Sequence, residues 1–416
     1  MQNTLAYAQQ QDAQDVLRSF RNEFHIPKHT DGTDVLYFTG NSLGLQPKRA
    51  MQYLQEEMQK WQMHGVEGHF TEPRPWFDYH KHLRKGLAHL TGGKENEVVA
   101  MNSLTTNLHI LLTTFYQPVG KRNKILIEEG AFPSDQYVAE SQAKFYGLNP
   151  TETVIELPTG ADVVGKIQEL GETLAVVMLG GVNYYTGQYF DLPTITHTAQ
   201  AVGAKVGFDL AHTIGNLPLQ LHEWGVDFAA WCSYKYLNAG PGAVGGIFVH
   251  EKHLNPPQPR LFGWWGYEEK TRFLMQAGFK PEMSADAWQM SNAPILSMSV
   301  LLASLSIFEE ANMNHLREKS ITLTNFLAFV IADITQKYNF SIRVITPESP
   351  SERGCQLSLE VAQHGKKLHE ALTAQGIIAD WREPAVIRLA PVPLYNSFED
   401  IFRFGEKLQK AISMLS

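Results

Sequence analysis

The stretch from Phe208 to Phe248, FDLAHTIGNLPLQLHEWGVDFAAWCSYKYLNAGPGAVGGIF, constrains the fold of this chain more than any other. The run Lys205 to Phe208 reads as a short buried strand ending on Asp209, which puts that carboxylate at the carboxyl edge of a sheet, where open α/β folds bind ligands. His212 follows closely. A second apolar run, Phe228 to Cys232, delivers Ser233, Tyr234 and Lys235 to the same edge, and a glycine-rich turn then leads into another strand-like run, Gly246 to His250.

An acid followed by a lysine in this setting suits one cofactor. Pyridoxal phosphate draws electrons from a substrate's α-carbon only while its ring nitrogen stays protonated, and a buried carboxylate beside that nitrogen favours the charged form. Asp209 is the candidate for this role. The cofactor's aldehyde needs a lysine amine of depressed pKa in a partly apolar pocket, where it is held as a Schiff base. Lys235, flanked by Trp231, Tyr234 and Tyr236, is the candidate. Taken singly, an Asp at a strand end is more often a cap or a salt-bridge partner and a Lys more often solvated; the pair in its context carries the reading.

Composition narrows the classes. A chain of 416 residues with 44% hydrophobic and 19% charged content is an ordinary globular protein, expected to form one large and one small domain. The 35 Lys and Arg against 43 Asp and Glu leave a net charge of −8, which argues against a nucleic-acid partner. Cys232 and Cys355 have neither a disulfide framework nor a metal-type spacing, which fits a reducing cytoplasm. The first residues lack the pattern of a cleavable signal, and no apolar run approaches the ~18 residues that span a bilayer, so no membrane is expected.

Taken in order, the chain to about Pro27 has a helical pattern with Leu5, Val16, Leu17 and Phe20 as apolar positions, and residues 1–36 are expected to form an N-terminal arm. Tyr37 to Lys48 reads as a strand, a Gly/Asn/Ser turn holding Ser42, and Pro47 at a helix start; the helix runs to about Met63. His64 to Trp76, with His69, lacks a helical period and reads as a loop that packs or lines a site. Asn96 to Tyr116 becomes a helix whose entrance carries Ser103, Leu104, Thr105 and Thr106. Its free N–H groups suit a phosphate, and ordinary capping by Ser103 is an equal reading. The strand Lys124 to Ile127 leads to Phe132, placed to stack on a flat ring or to pack in the core, with Asp135 behind it.

Leu174 to Leu179 is a further strand, followed by a helix from Leu192 to Ala204. Alternating strands and helices predict an α/β fold: a large doubly wound domain with a mostly parallel sheet over residues 37–292. Residues 293–416 are then a long linking helix, about Met298 to Tyr338, and a smaller α+β C-terminal domain. Its strands are expected at Ile342 to Ile345, Gln356 to Val361, Ile377 to Asp380 and Val386 to Leu389, with helices near Gly365 to Gln375 and after the capping box Ser397/Asp400. Gly240, Gly242 and Gly245 match a dinucleotide fingerprint, but a strand-like run follows where that motif requires a helix. A metal hydrolase is disfavoured too, since there is no HExxH and the Asp209/His212 pair lacks a third ligand.

Five blocks together resemble the kynureninases: FPSD at Phe132 to Asp135, GVNYYTGQ at Gly181 to Gln188, FDLAH at Phe208 to His212, WCSYKYLNAG at Trp231 to Gly240 and RLAPVPLYNSFED at Arg388 to Asp400. That family belongs to the fold-type I pyridoxal-phosphate enzymes, related to aspartate aminotransferases, and its members are homodimers with shared active sites. The resemblance implies that Lys235 bears the cofactor, Asp209 meets its ring nitrogen, His212 contacts it and Phe132 stacks on it with Asp135 nearby. It implies Leu104, Thr105 and Tyr234 at the phosphate, and Trp264 and Asn292 reaching over from the partner subunit. Arg388 would grip the substrate carboxylate with Ser42 close by, and His69, Ser291 and Asn292 would meet the aryl ring. Tyr234 would serve as a general acid and base. Gly180 departs from the pattern, which has Ser or Thr there, so a hydroxyl contact to the cofactor is missing or replaced.

The implied reaction is hydrolysis of the Cβ–Cγ bond of L-kynurenine or its 3-hydroxy form to anthranilate or 3-hydroxyanthranilate plus L-alanine, in tryptophan degradation, with the 3-hydroxy substrate favoured. Two rival readings are a cysteine desulfurase, which needs Cys355 as persulfide carrier, and a non-catalytic dimeric scaffold on the same fold. The apolar surroundings of Cys355 and the Asp209/Lys235 pair argue against them.

Overall fold

The computed structural model describes residues 1–255 and 258–415. Its frame is a seven-stranded sheet in the order β2-β8-β7-β6-β5-β3-β4, in which β2 is Val98–Ala100, β3 Lys124–Glu128, β4 Val154–Leu157, β5 Leu174–Gly180, β6 Lys205–Asp209, β7 Phe228–Trp231 and β8 Gly246–Val249. Strands β7, β6, β5, β3 and β4 pair in parallel, and β8 is antiparallel to both of its neighbours, β7 and β2. Parallel strands covered on both faces are apolar throughout, which is why they read as unbroken hydrophobic runs. Alternation still sorts the side chains: Val177 and Leu179 of β5 enter one core with Leu126 and Phe208, while Val176 and Met178 enter the other with Ile125 and Ile127.

A second sheet, antiparallel, has the order β12-β13-β10-β9, built from β9 (Arg343–Val344), β10 (Leu357–Glu360), β12 (Asp380–Arg382) and β13 (Val386–Leu389). Between them β1 (Leu36–Tyr37) pairs in parallel with β11 (Ile377–Ile378), so the expected strand Ile377 to Asp380 divides between two sheets. A third core holds Leu36 and Phe38 with Leu327, Ile387, Leu389 and Phe404. The final helix, Phe398–Leu415, starts in the capping box predicted from Ser397 and Asp400, with reciprocal bonds of 3.0 and 3.1 Å. Asp12 of the first helix, Leu5–Gln14, also accepts the Phe398 and Glu399 N–H groups at 2.8 and 2.9 Å.

Three expectations need correction. The N-terminal helix ends at Gln14 and a 3-10 helix covers Arg18–Glu23, leaving Val16 exposed rather than packed. The loop from His64 to Trp76 contains a 3-10 turn, Gly65–His69, entered from the helix Lys48–His64. The long linking helix is two helices, Ile295–Ala311 and Met313–Tyr338, bent by 80°. Asn312 makes the corner at φ 64°, and its side chain caps the second helix through Asn314 N–H at 2.8 Å. Among the described residues no single helix is long and apolar enough to cross a membrane.

Gly207 shows how tightly the sheet is packed. It faces Phe228 across the β6–β7 register, and a Cβ there would lie 2.0 Å from the Phe228 ring, which is itself stacked on Phe115 at 4.7 Å. Gly207→Ala therefore displaces Phe228 and should cost roughly 1–3 kcal/mol. Denaturant unfolding checks this, and an unchanged midpoint contradicts it.

Candidate active site

The register of β5, β6 and β7 sets Gly180 beside Asp209 and Asp209 beside Ala230 at one end of the sheet. Glu128 ends the adjoining β3, and Ser233 to Lys235 follow β7. A cleft of about 690 Å³, counting its open mouth, lies over these strand ends. It is lined by Asp209, His212, Tyr234 and Lys235, by Phe132, Ser134 and Asp135, by Ser103, Leu104 and Thr105 at a helix start, and by Glu128, Gly180, Val182, Tyr184 and Ala211.

The lysine segment is held by its backbone. Asn238 N–H donates to Lys235 O and Ala239 N–H to Ser233 O, both at 3.0 Å, and Gly44 N–H donates to Tyr234 O at 2.8 Å. Only glycine allows that approach: a Cβ at position 44 would lie 2.3 Å from Lys235 O. So anchored, Lys235 Nζ sits 3.0 Å from His212 Nε2 and about 6 Å from the Phe132 and Tyr234 ring centroids, at 5.8 and 6.0 Å. Burial, then the charges of Lys235, Arg388 and Arg382, hold the His212 imidazole well below the usual histidine range, so it stays neutral.

Asp209 is buried, and its Oδ1 accepts the Ala211 N–H at 2.7 Å. Burial lifts its carboxyl, while Lys235 and the Ala211 N–H pull it back toward ionisation. Asp135 is pushed much further up, first by burial and then by the charges of Asp209 and Glu128. Of the two, Asp209 is the acid that ionises more readily. Glu128 is pushed up to about 7, chiefly by burial, against hydrogen bonds from Asn183 and the Gly180 N–H. Burial, then Cys232, also raises the Tyr234 phenol.

The other expected residues are distributed differently. Trp231 and Tyr236 do not wall the cleft: both are buried, Trp231 under Gly246 and Tyr236 beside Cys355, and the apolar wall comes from Phe132, Val182 and Tyr184. Ser103 occupies the cap position of the helix Leu104–Phe115 but makes no capping bond; its hydroxyl pairs with Thr106 at 3.1 Å, and Thr105 donates to Ser134 at 3.1 Å. Arg388 lies behind Tyr184, buried, with Nη1 donating to Tyr184 O at 2.6 Å and Nη2 paired with Asp380, which also accepts the Ser42 hydroxyl at 2.7 Å. Its Nε has no partner. His69 is half-buried, bonded to Val66 O at 2.9 Å and set against the Trp76 ring, while Trp264, Ser291 and Asn292 are exposed. None of these four residues lines the cleft of this chain.

The sequence pattern alone does not mark Glu128, Ser134, Val182, Tyr184 or Ala211 as cleft residues, yet all five line it. Position at a strand's carboxyl end was the available signal for Glu128, and membership of the GVNYYTGQ and FPSD blocks for Val182, Tyr184 and Ser134. Elsewhere Glu97, His222 and His250 bring potential ligand atoms within 4.8 Å of one another. The two imidazoles are stacked 4.8 Å apart at 19°, so their in-plane lone pairs do not converge on one ion, and His250 Nδ1 already accepts the Lys252 N–H.

The cleft fits pyridoxal phosphate. It offers a lysine amine, a buried acid, an exposed aromatic ring and a helix N-terminus, and it has buried polar atoms without partners, Asp135 Oδ1 and His212 Nδ1. Solved structures of similar fold include a mutant of the cystine C–S lyase C-DES with glycine covalently linked to its cofactor, at TM-score 0.77 and 19% identity over 94% of this chain and 98% of that one. The cysteine desulfurase CsdA of Escherichia coli gives TM-score 0.76 and 17% identity over 96% and 98%. These structures share the fold of this chain, and the cleft lies over the strand ends of that fold. Residues 316–408 match the family description "Kynureninase C-terminal domain". The chain is 49% identical to the kynureninase of Flavobacterium johnsoniae over 99% of both chains, 50% identical to that of Xanthomonas euvesicatoria over 97% of both, and 48% identical to that of Myxococcus xanthus over 97% and 96%. It belongs to the kynureninase family.

Glu128 makes the electrostatics testable. Its folded pKa of about 7 stands above the ordinary 4.5, so the folded state holds a proton that the unfolded chain has released. That contribution to stability is complete below pH ~4.5 and is lost as pH rises to about 7. Relative to Glu128→Gln, the cofactor-free protein should lose roughly 3 kcal/mol between these limits. Parallel pH profiles of unfolding for the two proteins would contradict the assignment.

Proposed function

We propose that this cleft hydrolyses the Cβ–Cγ bond of L-kynurenine or L-3-hydroxykynurenine, releasing anthranilate or 3-hydroxyanthranilate and L-alanine. The observation that carries the reading is the convergence of Lys235, Asp209 and Phe132 in one cleft of a chain that is 49% identical, from end to end, to a named kynureninase. When bound, pyridoxal phosphate supplies the electron sink that makes the substrate's α-proton removable.

Lys235 would hold the cofactor covalently, and its amine would be the base that moves the α-proton. The neutral His212 ring accepts a hydrogen bond from Nζ and keeps the amine directed into the cleft. Asp209 would favour the charged form of the ring nitrogen, with Asp135 beside it, and Phe132 would pack on the ring. The N-terminus of the helix Leu104–Phe115, with Leu104 and Thr105, would take the phosphate together with Tyr234. The raised pKa of the Tyr234 phenol keeps its proton available as a general acid toward the substrate ketone. Arg388, with Asp380 fixing one arm of its guanidinium and Ser42 fixing Asp380, is the group that would take the substrate carboxylate, its Nε still without a partner.

The working unit is a homodimer. Exposed Leu43, Met51, Trp61, Phe262 and Trp264 supply the apolar surface a partner would cover, and Trp264 and Asn292 reach the partner's site. His69, Ser291 and Asn292 meet the aryl ring and favour the 3-hydroxy substrate by bonding its extra hydroxyl. The two buried free cysteines suit a cytoplasmic setting. A desulfurase is disfavoured because Cys355 is wholly buried and its thiol is pushed up to about 12 by burial. A non-catalytic scaffold has no use for the Asp209 and Lys235 pair.

Incubating the cofactor-loaded protein with each substrate should release equal amounts of the aromatic acid and alanine, and Lys235→Ala should remove both products. A bound cofactor with no product from either substrate would refute the reading. His69→Ala should lower the preference for 3-hydroxykynurenine, read as the ratio of kcat/KM for the two substrates; an unchanged ratio removes His69 from the selectivity.

A further inference from the structure

The cleft holds one acid that the chemistry above leaves unused. Glu128 is 6% exposed, and both of its oxygens are engaged by the end of the neighbouring strand. Oε1 accepts the Gly180 N–H at 2.8 Å and Oε2 accepts Asn183 Nδ2 at 2.6 Å. Asn183 cannot reverse its amide, because its Oδ1 already accepts the Tyr185 and Thr186 N–H groups at 3.0 and 2.8 Å. Glu128 thereby ties β3 to the turn that carries Val182 and Tyr184 into the cleft.

Gly180 makes room for this contact. A Cβ at position 180 would lie 3.0 Å from Glu128 Oε1 and 3.3 Å from Val182 O, closer than side chains ordinarily pack. A side chain at 180 would press on the Glu128 carboxyl, which would have to give by a few tenths of an ångström. At the position where a Ser or Thr hydroxyl is expected, the polar atom at the cleft floor comes instead from β3.

We propose that Glu128 is a positioning residue of the cofactor site, its carboxyl occupying the place a hydroxyl at 180 would take and fixing the Val182–Tyr184 wall. The inference rests on the pyridoxal-phosphate reading of the cleft. Its test is a cycle of wild type, Glu128→Ala, Gly180→Ser and the double variant, with the apparent dissociation constant for pyridoxal phosphate read from absorbance as the cofactor-free protein is titrated. Glu128→Ala should raise that constant about tenfold, as loss of its hydrogen bonds from the Gly180 N–H and Asn183 does, and Gly180→Ser should raise it several-fold by pressing on that carboxyl. The double variant should return to within about threefold of wild type, since the hydroxyl introduced at position 180 enters the vacated space; neighbours that share a site couple in this way.

Additive effects in the double variant, or an unchanged constant for Gly180→Ser alone, overturn the role of Glu128. A wild type that takes up no pyridoxal phosphate overturns instead the reading of the cleft on which it rests. Circular dichroism of each variant separates lost cofactor affinity from lost fold, and Gly180→Ser remains decisive if Glu128→Ala does not fold.

Discussion

The structure depends on a register. Because β5, β6 and β7 run parallel and in step, Gly180, Asp209 and Ala230 end level, and the chain leaves the sheet there in loops that carry His212, Tyr234 and Lys235. A slip of one residue would turn each of these strands over, burying Asp209 in a core face and Phe208 in the cleft. The apolar residues on the two faces of the sheet, sorted into separate cores, fix that register. The position of the chemistry therefore follows from the packing of residues that take no part in it.

Within that frame the site holds few charges in a low-dielectric place. Three carboxyl groups, Glu128, Asp135 and Asp209, share the cleft with one lysine. They cannot all ionise, and the structure distributes protons by contact: Asp209 has the Ala211 N–H and the attraction of Lys235, whereas Asp135 feels both of the other acids. His212 is kept neutral by burial and its cationic neighbours, so it orients the lysine without adding charge. Arg388 is buried yet paired with Asp380, which offsets the cost of an isolated charge.

Much of this was legible in the sequence. The apolar runs ending on Asp209 and just before Ser233 stated both the strands and the edge they share, because buried parallel strands leave an unmistakable composition. The Ser397/Asp400 box was legible because capping is local. What was not legible depended on distant packing. Trp231 and Tyr236 are neighbours of Lys235 in sequence, but strand alternation and the turn at Asn238 send them into the cores. The corner at Asn312 was hidden by apolar residues continuing on both sides of it. Glu128 could be suspected only once β3 was known to lie beside β5, and its relation to Gly180 only once both positions were known.

The central claim is that Lys235 anchors pyridoxal phosphate in this cleft. Borohydride reduction of the cofactor-loaded protein, followed by proteolysis and mass spectrometry, tests it most directly. The account predicts one peptide carrying the pyridoxyl mass, with the modification on Lys235. A modification on another lysine, or none in a protein that holds the cofactor, would contradict it.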